Sequence, residues 1–203
     1  MPNGFEDCLL WSDELGRGFH TRQPIDYQQS YWDEYILRDG TPMGSALTAA
    51  RVSLVEQFGN GTELCDIGIG GGRFVQQANA MGYDVNPEAV RWLKATERYR
   101  DPYDGPRVGQ LTFWDSLEHI PNPELIVSRA EHLVFVSMPI YRDLADVLGS
   151  PHYKPGEHLH YWTDEGLRLW FENQGFRYLH SDDCETRIGR RGIMSYVFYR
   201  LRG

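Results

Sequence analysis

The stretch Glu63-Leu64-Cys65-Asp66-Ile67-Gly68-Ile69-Gly70-Gly71-Gly72-Arg73-Phe74 decides the fold. Its first five residues read as a short apolar strand that carries an acid near its end. The glycines read as a tight turn, and Phe74 to Gln77 as a brief helix. Glycines in such a turn let the backbone take positive φ and pass close to a ligand, whereas a plain strand-to-helix turn needs only the first property. Spacing tests the dinucleotide alternative. A G-x-G-x-x-G fingerprint begun at Gly68 requires glycine at 73, where Arg73 stands, and one begun at Gly70 requires glycine at 75, where Val75 stands. No pyrophosphate fingerprint fits. Asp66, just before the turn, would repel a diphosphate but suits a ligand that carries an ammonium group and no phosphate.

Working outward, strand and helix alternate. Before the turn, Ser45–Phe58 is an amphipathic helix that Gly59 and Gly61 stop. After it come a strand over 80–85, a helix over 88–96 with Asn86 as N-cap and Pro87 in its first turn, and a weak strand near Tyr99. Strand 108–114, helix 123–130, strand 133–137 and helix 163–174 with Thr163 as N-cap follow. Segments 176–180 and 195–201 read as closing strands with no helix between them, an antiparallel hairpin. This order predicts an α/β fold with a mostly parallel sheet, helices on both faces and a C-terminal antiparallel hairpin. Residues 1–43 are polar and aromatic, broken by Gly16, Gly18, Pro24, Gly40 and Pro42. In them, the run from Tyr27 places Tyr31, Trp32, Tyr35 and Ile36 at helical spacing. They are read as an N-terminal aromatic cover on a main domain spanning 44–203.

Composition narrows the function. The chain has 203 residues, enough for one full core, with 41% apolar and 24% charged residues. Its formal charge is −9, and Arg187, Arg190 and Arg191, its densest basic cluster, read as a solvated turn. Nucleic acid, which requires a basic face, is therefore a poor partner, and a small molecule a better one. Cys8, Cys65 and Cys184 are far apart and form no C-x-x-C pair, which fits a reducing compartment. The first residues lack a basic region followed by an apolar core, and no run is long enough to span a bilayer, so a cytoplasmic protein without a membrane partner is expected.

Several segments, in order over residues 45–180, carry a family resemblance. ELCDIGIGGGRF is similar to the first motif of class I methyltransferases, whose fold is a Rossmann-like sheet and whose cofactor is S-adenosylmethionine, a ligand with an ammonium group and no phosphate. Gly82-Tyr83-Asp84-Val85-Asn86-Pro87 resembles the second-strand motif, whose acid takes both ribose hydroxyls; Asp84 matches it. Leu117-Glu118-His119-Ile120-Pro121-Asn122-Pro123 and the tail HLHYWT (158–163) with NQGF (173–176) resemble the branch that contains ubiquinone-biosynthesis O-methyltransferases. The chain departs from the family at the third strand, which is short or absent.

The resemblance implies a set of site residues. Asp66 would orient the methionine ammonium, with Gly68, Ile69, Gly70, Gly72 and Phe74 forming the turn around the cofactor. Asp84 would pair with the ribose, flanked by Val85 and Asn86, because vicinal hydroxyls match the two oxygens of a carboxylate. Asp101 is the candidate for the acid that faces adenine, or else a turn residue. Trp114, Asp115 and Ser116 fall at a strand's carboxyl end, where ligands bind in such sheets; core packing is the rival for Trp114. Arg51 is a candidate for the methionine carboxylate, or a surface arginine. Methyl transfer from a sulfonium requires a base only when the acceptor must lose a proton. His119, then His158 and His160, are the candidate bases, each set against a structural role. Glu118 and His119 alone make no convincing metal site, and no metal is expected. The expected function is methyl transfer to a small molecule. The alternatives are a regulatory protein that binds S-adenosylmethionine without catalysis and a methyltransferase acting on nucleic acid. The latter is disfavoured by Trp-Asp-Ser-Leu (114–117) standing where amino-directed DNA enzymes carry N-P-P-Y or D-P-P-Y.

Overall fold

Four parallel strands form the frame that positions the site. In the computed structural model, which describes residues 9–21 and 29–201, these are β3 (Leu64–Ile67), β4 (Met81–Tyr83), β5 (Val108–Trp114) and β6 (Ala130–Pro139). They run in the order β4-β3-β5-β6, and the antiparallel pair β9 (Ile193–Arg200) and β8 (Phe176–Asp182) completes a six-stranded sheet beyond β6. The expected mostly parallel sheet with its closing hairpin is therefore present. The weak strand near Tyr99 is a single parallel bridge to Gly82.

Helices α3 (Arg73–Gln77), α4 (Pro87–Ala95) and α5 (Pro123–Val127) supply the crossovers between the parallel strands, α2 (Pro42–Phe58) leads into β3, and α7 (Asp164–Asn173) leads into β8. The N-caps of the longer ones are legible: Thr41 accepts from Gly44 N, Asn86 from Glu88 N and Thr163 from Gly166 N, each satisfying an orphan amide of a first turn. The strands bury both faces, as parallel sheets must. Along β6, Val134, Val136 and Met138 join one core cluster with Phe113, Trp162, Phe171 and Phe198. The alternate residues Leu133 and Phe135 join Leu54, Phe74 and Trp114 on the other face.

Three features differ from the sequence reading. Strands β1 (Leu9–Ser12) and β2 (Arg17–His20) form a hairpin, and β2 pairs with β7 (His160–Trp162) in a second small sheet. The N-terminal segment is thus partly strand, with α1 (Gln29–Asp39) following. A five-residue helix, α8 (Cys184–Ile188), lies between β8 and β9, where no helix was expected. A further short helix, α6 (Leu144–Gly149), follows β6. Cys8, Pro24, Tyr27 and the first residues of the chain lie outside the described residues. Among those described, no helix is long and apolar enough to cross a membrane.

Candidate functional site

A cleft of about 1090 Å³ runs along the carboxyl ends of β3, β4 and β5. Its floor is the glycine turn. Gly68 follows β3 with φ +78°, and a Cβ there would stand 2.8 Å from the Cβ of Ser116, so a side chain is excluded by both conformation and space. Ser116 Oγ in turn donates to the Ile67 carbonyl at 2.5 Å, tying the exit of β5 to the end of β3. Asp84, just past β4, accepts from Ile69 N at 2.9 Å through Oδ2 and from Asn86 N at 2.8 Å through Oδ1. Burial raises its pKa, and those backbone amides oppose the rise. Each oxygen keeps a further lone pair for a ligand.

Asp66 is 1% exposed and borders the same cleft. Thr112 donates to its Oδ1 at 2.6 Å. Burial drives its pKa up to about 7, against the opposing effects of the Thr112 hydroxyl and the Arg51 charge.

Asp115 sits at the end of β5 with φ +53°, and its charge is set differently. Arg51 Nη2 reaches its Oδ2 at 3.0 Å, and Arg190 Nη1 binds the same oxygen. Both arginines also bind Glu185, which is fully buried on α8: Arg51 Nε at 2.7 Å and Nη2 at 3.0 Å, Arg190 Nη1 at 2.9 Å. Burial would raise the Asp115 carboxyl, but Arg190 and Arg51 outweigh it and hold the pKa below the usual carboxylate range. Asp115 is therefore held in its ionised form.

Beyond Asp115 the 3₁₀ turn Leu117–His119 places Glu118 and His119 on the wall. His119 Nδ1 lies 2.8 Å from the Glu157 carbonyl. A carbonyl only accepts, so Nδ1 carries the proton and Nε2 presents its lone pair, 3.9 Å from Glu118 Oε1. His158 packs edge-on against His119 at 4.7 Å. Burial lowers the pKa of both imidazoles, and the neighbouring His119 lowers that of His158 further. Glu118 is 1% exposed, and burial, followed by the Asp115 charge, raises its pKa well above the usual value.

Most of the expected residues line this one cleft: Arg51, Asp66, Gly68, Ile69, Gly70, Phe74, Asp84, Val85, Asn86, Trp114, Asp115, Ser116, His119 and His158. The guanidinium of Arg51 is taken up by Glu185 and Asp115. Trp114 packs edge-on against Phe74 at 5.2 Å in the core and also borders the cleft.

Three expected residues do not line the cleft. His160 stacks on Trp162 and its Nε2 contacts the Ile120 carbonyl at 3.0 Å, so β7 pairing turns it into the small sheet; burial lowers its pKa to about 4. Asp101 accepts from Tyr103 N at 2.9 Å and closes a turn. Gly72 is the N-cap of α3 and faces Trp92.

Sequence reasoning missed other wall residues. Tyr83 and Tyr103, edge-on at 5.7 Å, stand on the Asp84 side, but nothing in the spacing of Tyr103 pointed there. Arg190, read as part of a solvated turn, lines the cleft because α8 carries the chain back over α2; of its two carboxylate partners Glu185 is local, but Asp115 lies 75 positions away. Helix α1 brings Tyr31, Trp32 and Tyr35, singled out in the sequence for their helical spacing, to the rim.

A family model described as "Methyltransferase domain" matches residues 41–181. No curated protein matches the chain by sequence. Among solved structures, the chain is similar to magnesium protoporphyrin IX methyltransferase from Synechocystis with bound S-adenosylhomocysteine, at 17% identity over 87% of this chain and 90% of that one, with a TM-score of 0.55. It is similar to the 1,6-didemethyltoxoflavin N1-methyltransferase of Burkholderia thailandensis at 16% identity, 96% and 99% coverage and a TM-score of 0.56. It is also similar to an S-adenosylmethionine-dependent methyltransferase from Clostridium acetobutylicum at 10% identity, 84% and 99% coverage and a TM-score of 0.59. At these identities the likeness speaks for the fold.

Proposed function

The chain belongs to the methyltransferase-domain family, and from that premise we propose that it binds S-adenosylmethionine in this cleft and transfers its methyl group to a small-molecule acceptor. The observation that carries this reading is the pairing of two acids around one glycine turn: Asp66 before Gly68, and Asp84 bound to the amide of Ile69 inside the turn. Gly68 holds the turn on course, since its positive φ and the Ser116 side chain leave no room for a Cβ. The residues fit the cofactor: Asp84 for the ribose hydroxyls, Tyr83, Val85 and Tyr103 for the flat base, and Asp66 for the ammonium. The cofactor supplies an activated methyl group on a sulfonium. The protein orients the acceptor, excludes water and takes a proton where the acceptor has one to lose. His119 Nε2 is the base this reading assigns, with its tautomer set by Glu157.

The acceptor branch is the finer part of the proposal. The segment Leu117–Pro123 supports a relation to ubiquinone-biosynthesis O-methyltransferases through its residues alone. Calorimetric titration with S-adenosylmethionine and S-adenosylhomocysteine tests the cofactor assignment. Binding that Asp84→Ala weakens by about tenfold or more, the loss of hydrogen bonds to a charged group, supports it. Folded protein that binds neither ligand removes it.

A further inference from the structure

Among the buried polar atoms without a hydrogen-bond partner in the described structure, four that can accept collect at one end of the cleft. Asp115 Oδ1, both carboxyl oxygens of Glu118 and His158 Nδ1 are buried with no hydrogen-bond partner. Reactive atoms of Glu118, His119 and His158 lie within 4.8 Å of one another. Buried polar groups in native proteins are almost always satisfied, so a cluster of orphans on a cleft wall marks where a ligand sits. The charge of the wall narrows the class. Seven carboxyl residues and four arginines or lysines line the whole cleft, and two of those cations, Arg51 and Arg190, are already bound to Asp115 and Glu185. An anionic acceptor would meet carboxylates here, whereas a cation with several N–H donors would meet partners for each.

We propose that this end of the cleft is a receptor for a protonated amine, held by Asp115 Oδ1 and Glu118, and that the amine nitrogen is the atom methylated. The proposal rests on the methyl-transfer reading and deepens it. Glu185 and Arg190 are positioning residues: they hold Arg51 and fix Asp115 Oδ2, so that Oδ1 faces the ligand. The ammonium R–NH3+ gives one proton to His119 Nε2, beside Glu118. The freed lone pair forms the nitrogen–carbon bond to the methyl group, and the electrons of the carbon–sulfur bond stay on sulfur. The product is R–NH2–CH3+, and His119 releases its proton to solvent.

The test uses the full chain saturated with S-adenosylhomocysteine, titrated calorimetrically with benzylamine, benzyl alcohol, phenol and benzoate. Prior binding of S-adenosylhomocysteine checks the cofactor reading separately. Benzylamine is expected to bind at least about tenfold more tightly than the other three, the scale of one charge-assisted contact. Glu118→Gln, which keeps the shape, is expected to remove about tenfold of that affinity while leaving S-adenosylhomocysteine binding within about twofold. With S-adenosylmethionine, benzylamine is expected to yield N-methylbenzylamine by mass spectrometry. A complex that binds S-adenosylhomocysteine but prefers phenol, benzyl alcohol or benzoate overturns the proposal, as does one that ignores all four. A stoichiometric divalent metal whose removal by chelation, or whose loss in His158→Ala, accounts for ligand binding also overturns it.

Discussion

Thr112 on β5 donates its hydroxyl to Asp66 Oδ1 on β3 at 2.6 Å, across neighbouring parallel strands. That single donor does not offset the burial of the carboxyl, and Asp66 titrates near 7. The sign for stability follows. A carboxyl raised in the folded chain binds its proton more tightly there than in the unfolded one, so its contribution is present at low pH and fades as pH rises from the usual carboxylate range through about 7. The cofactor's ammonium requires the opposite form. Affinity for S-adenosylmethionine should therefore climb between pH 5 and 7, by up to about tenfold per unit, with a proton released on binding. Titrations in two buffers of different ionisation enthalpy would count that proton. Asp66→Asn should bind more weakly at pH 7 and lose the slope; a slope that survives the substitution would place the titrating group elsewhere.

The Arg51–Asp115–Arg190–Glu185 frame makes a prediction about stability. Glu185 is fully buried and bound to both guanidiniums. Its removal leaves two cations sharing Asp115 in a poorly solvated site. Glu185→Ala should cost about 3–5 kcal/mol, a fall in melting temperature of roughly 10 °C for a chain of this size. Glu185→Gln, which keeps the volume and one acceptor oxygen for the guanidiniums, should cost less. Urea unfolding of the two variants measures both, and a loss under about 1 kcal/mol for the alanine variant would show that the frame contributes little.

The turn and its two acids were legible because their signals are local. Gly68 needs positive φ, Asn86 caps the helix that begins at Pro87, and both are fixed by neighbours within a few positions. The α/β order was legible for the same reason: β6 carries the apolar run Leu133–Val136 that a strand buried on both faces requires. What escaped was set by distant partners. Strand β7 is three residues long and pairs with β2 alone, so no periodicity in 158–163 shows where it begins; His160 opens the strand, whereas His158 lies before it, bridged to Pro155, and lines the cleft. Arg190 escaped likewise, because a guanidinium looks solvated until its carboxylates, here Asp115 and Glu185, are brought to it.

Gly72 separates folding from binding. Its φ is +82°, and a Cβ would stand 2.8 Å from the Trp92 ring, yet it does not line the cleft. Gly72→Ala should destabilise the chain by about 1–2 kcal/mol for the left-handed conformation alone, and more for the clash with Trp92. The fraction that folds should bind S-adenosylhomocysteine within about twofold of the unaltered chain, since no orphaned charge is created at the site. Melting curves with and without ligand measure the two effects together. A large loss of affinity at unchanged stability would return Gly72 to the cofactor's direct surroundings.

Helix α1 provides the remaining prediction, because its aromatic face rests on the turn. A Cβ on Gly70 would lie 3.0 Å from Tyr35 Cδ1, the Tyr31 hydroxyl donates to that of Tyr35 at 2.9 Å, and the two rings are 4.6 Å apart. An aromatic cover over a bound cofactor and simple packing of α1 both explain this contact, but they differ in what Tyr35→Ala should do. A cover slows ligand release. Removing the ring would then raise the dissociation rate of S-adenosylhomocysteine by about tenfold, the worth of a buried aromatic contact, with little change in melting temperature of the ligand-free chain. Tyr35→Phe keeps the ring and gives up only the bond to Tyr31, so its dissociation rate should stay within about twofold, the low end for a lost neutral hydrogen bond. Packing alone predicts the reverse pattern, a lower melting temperature for Tyr35→Ala and an unchanged dissociation rate. Stopped-flow displacement together with thermal unfolding of the two variants decides between them.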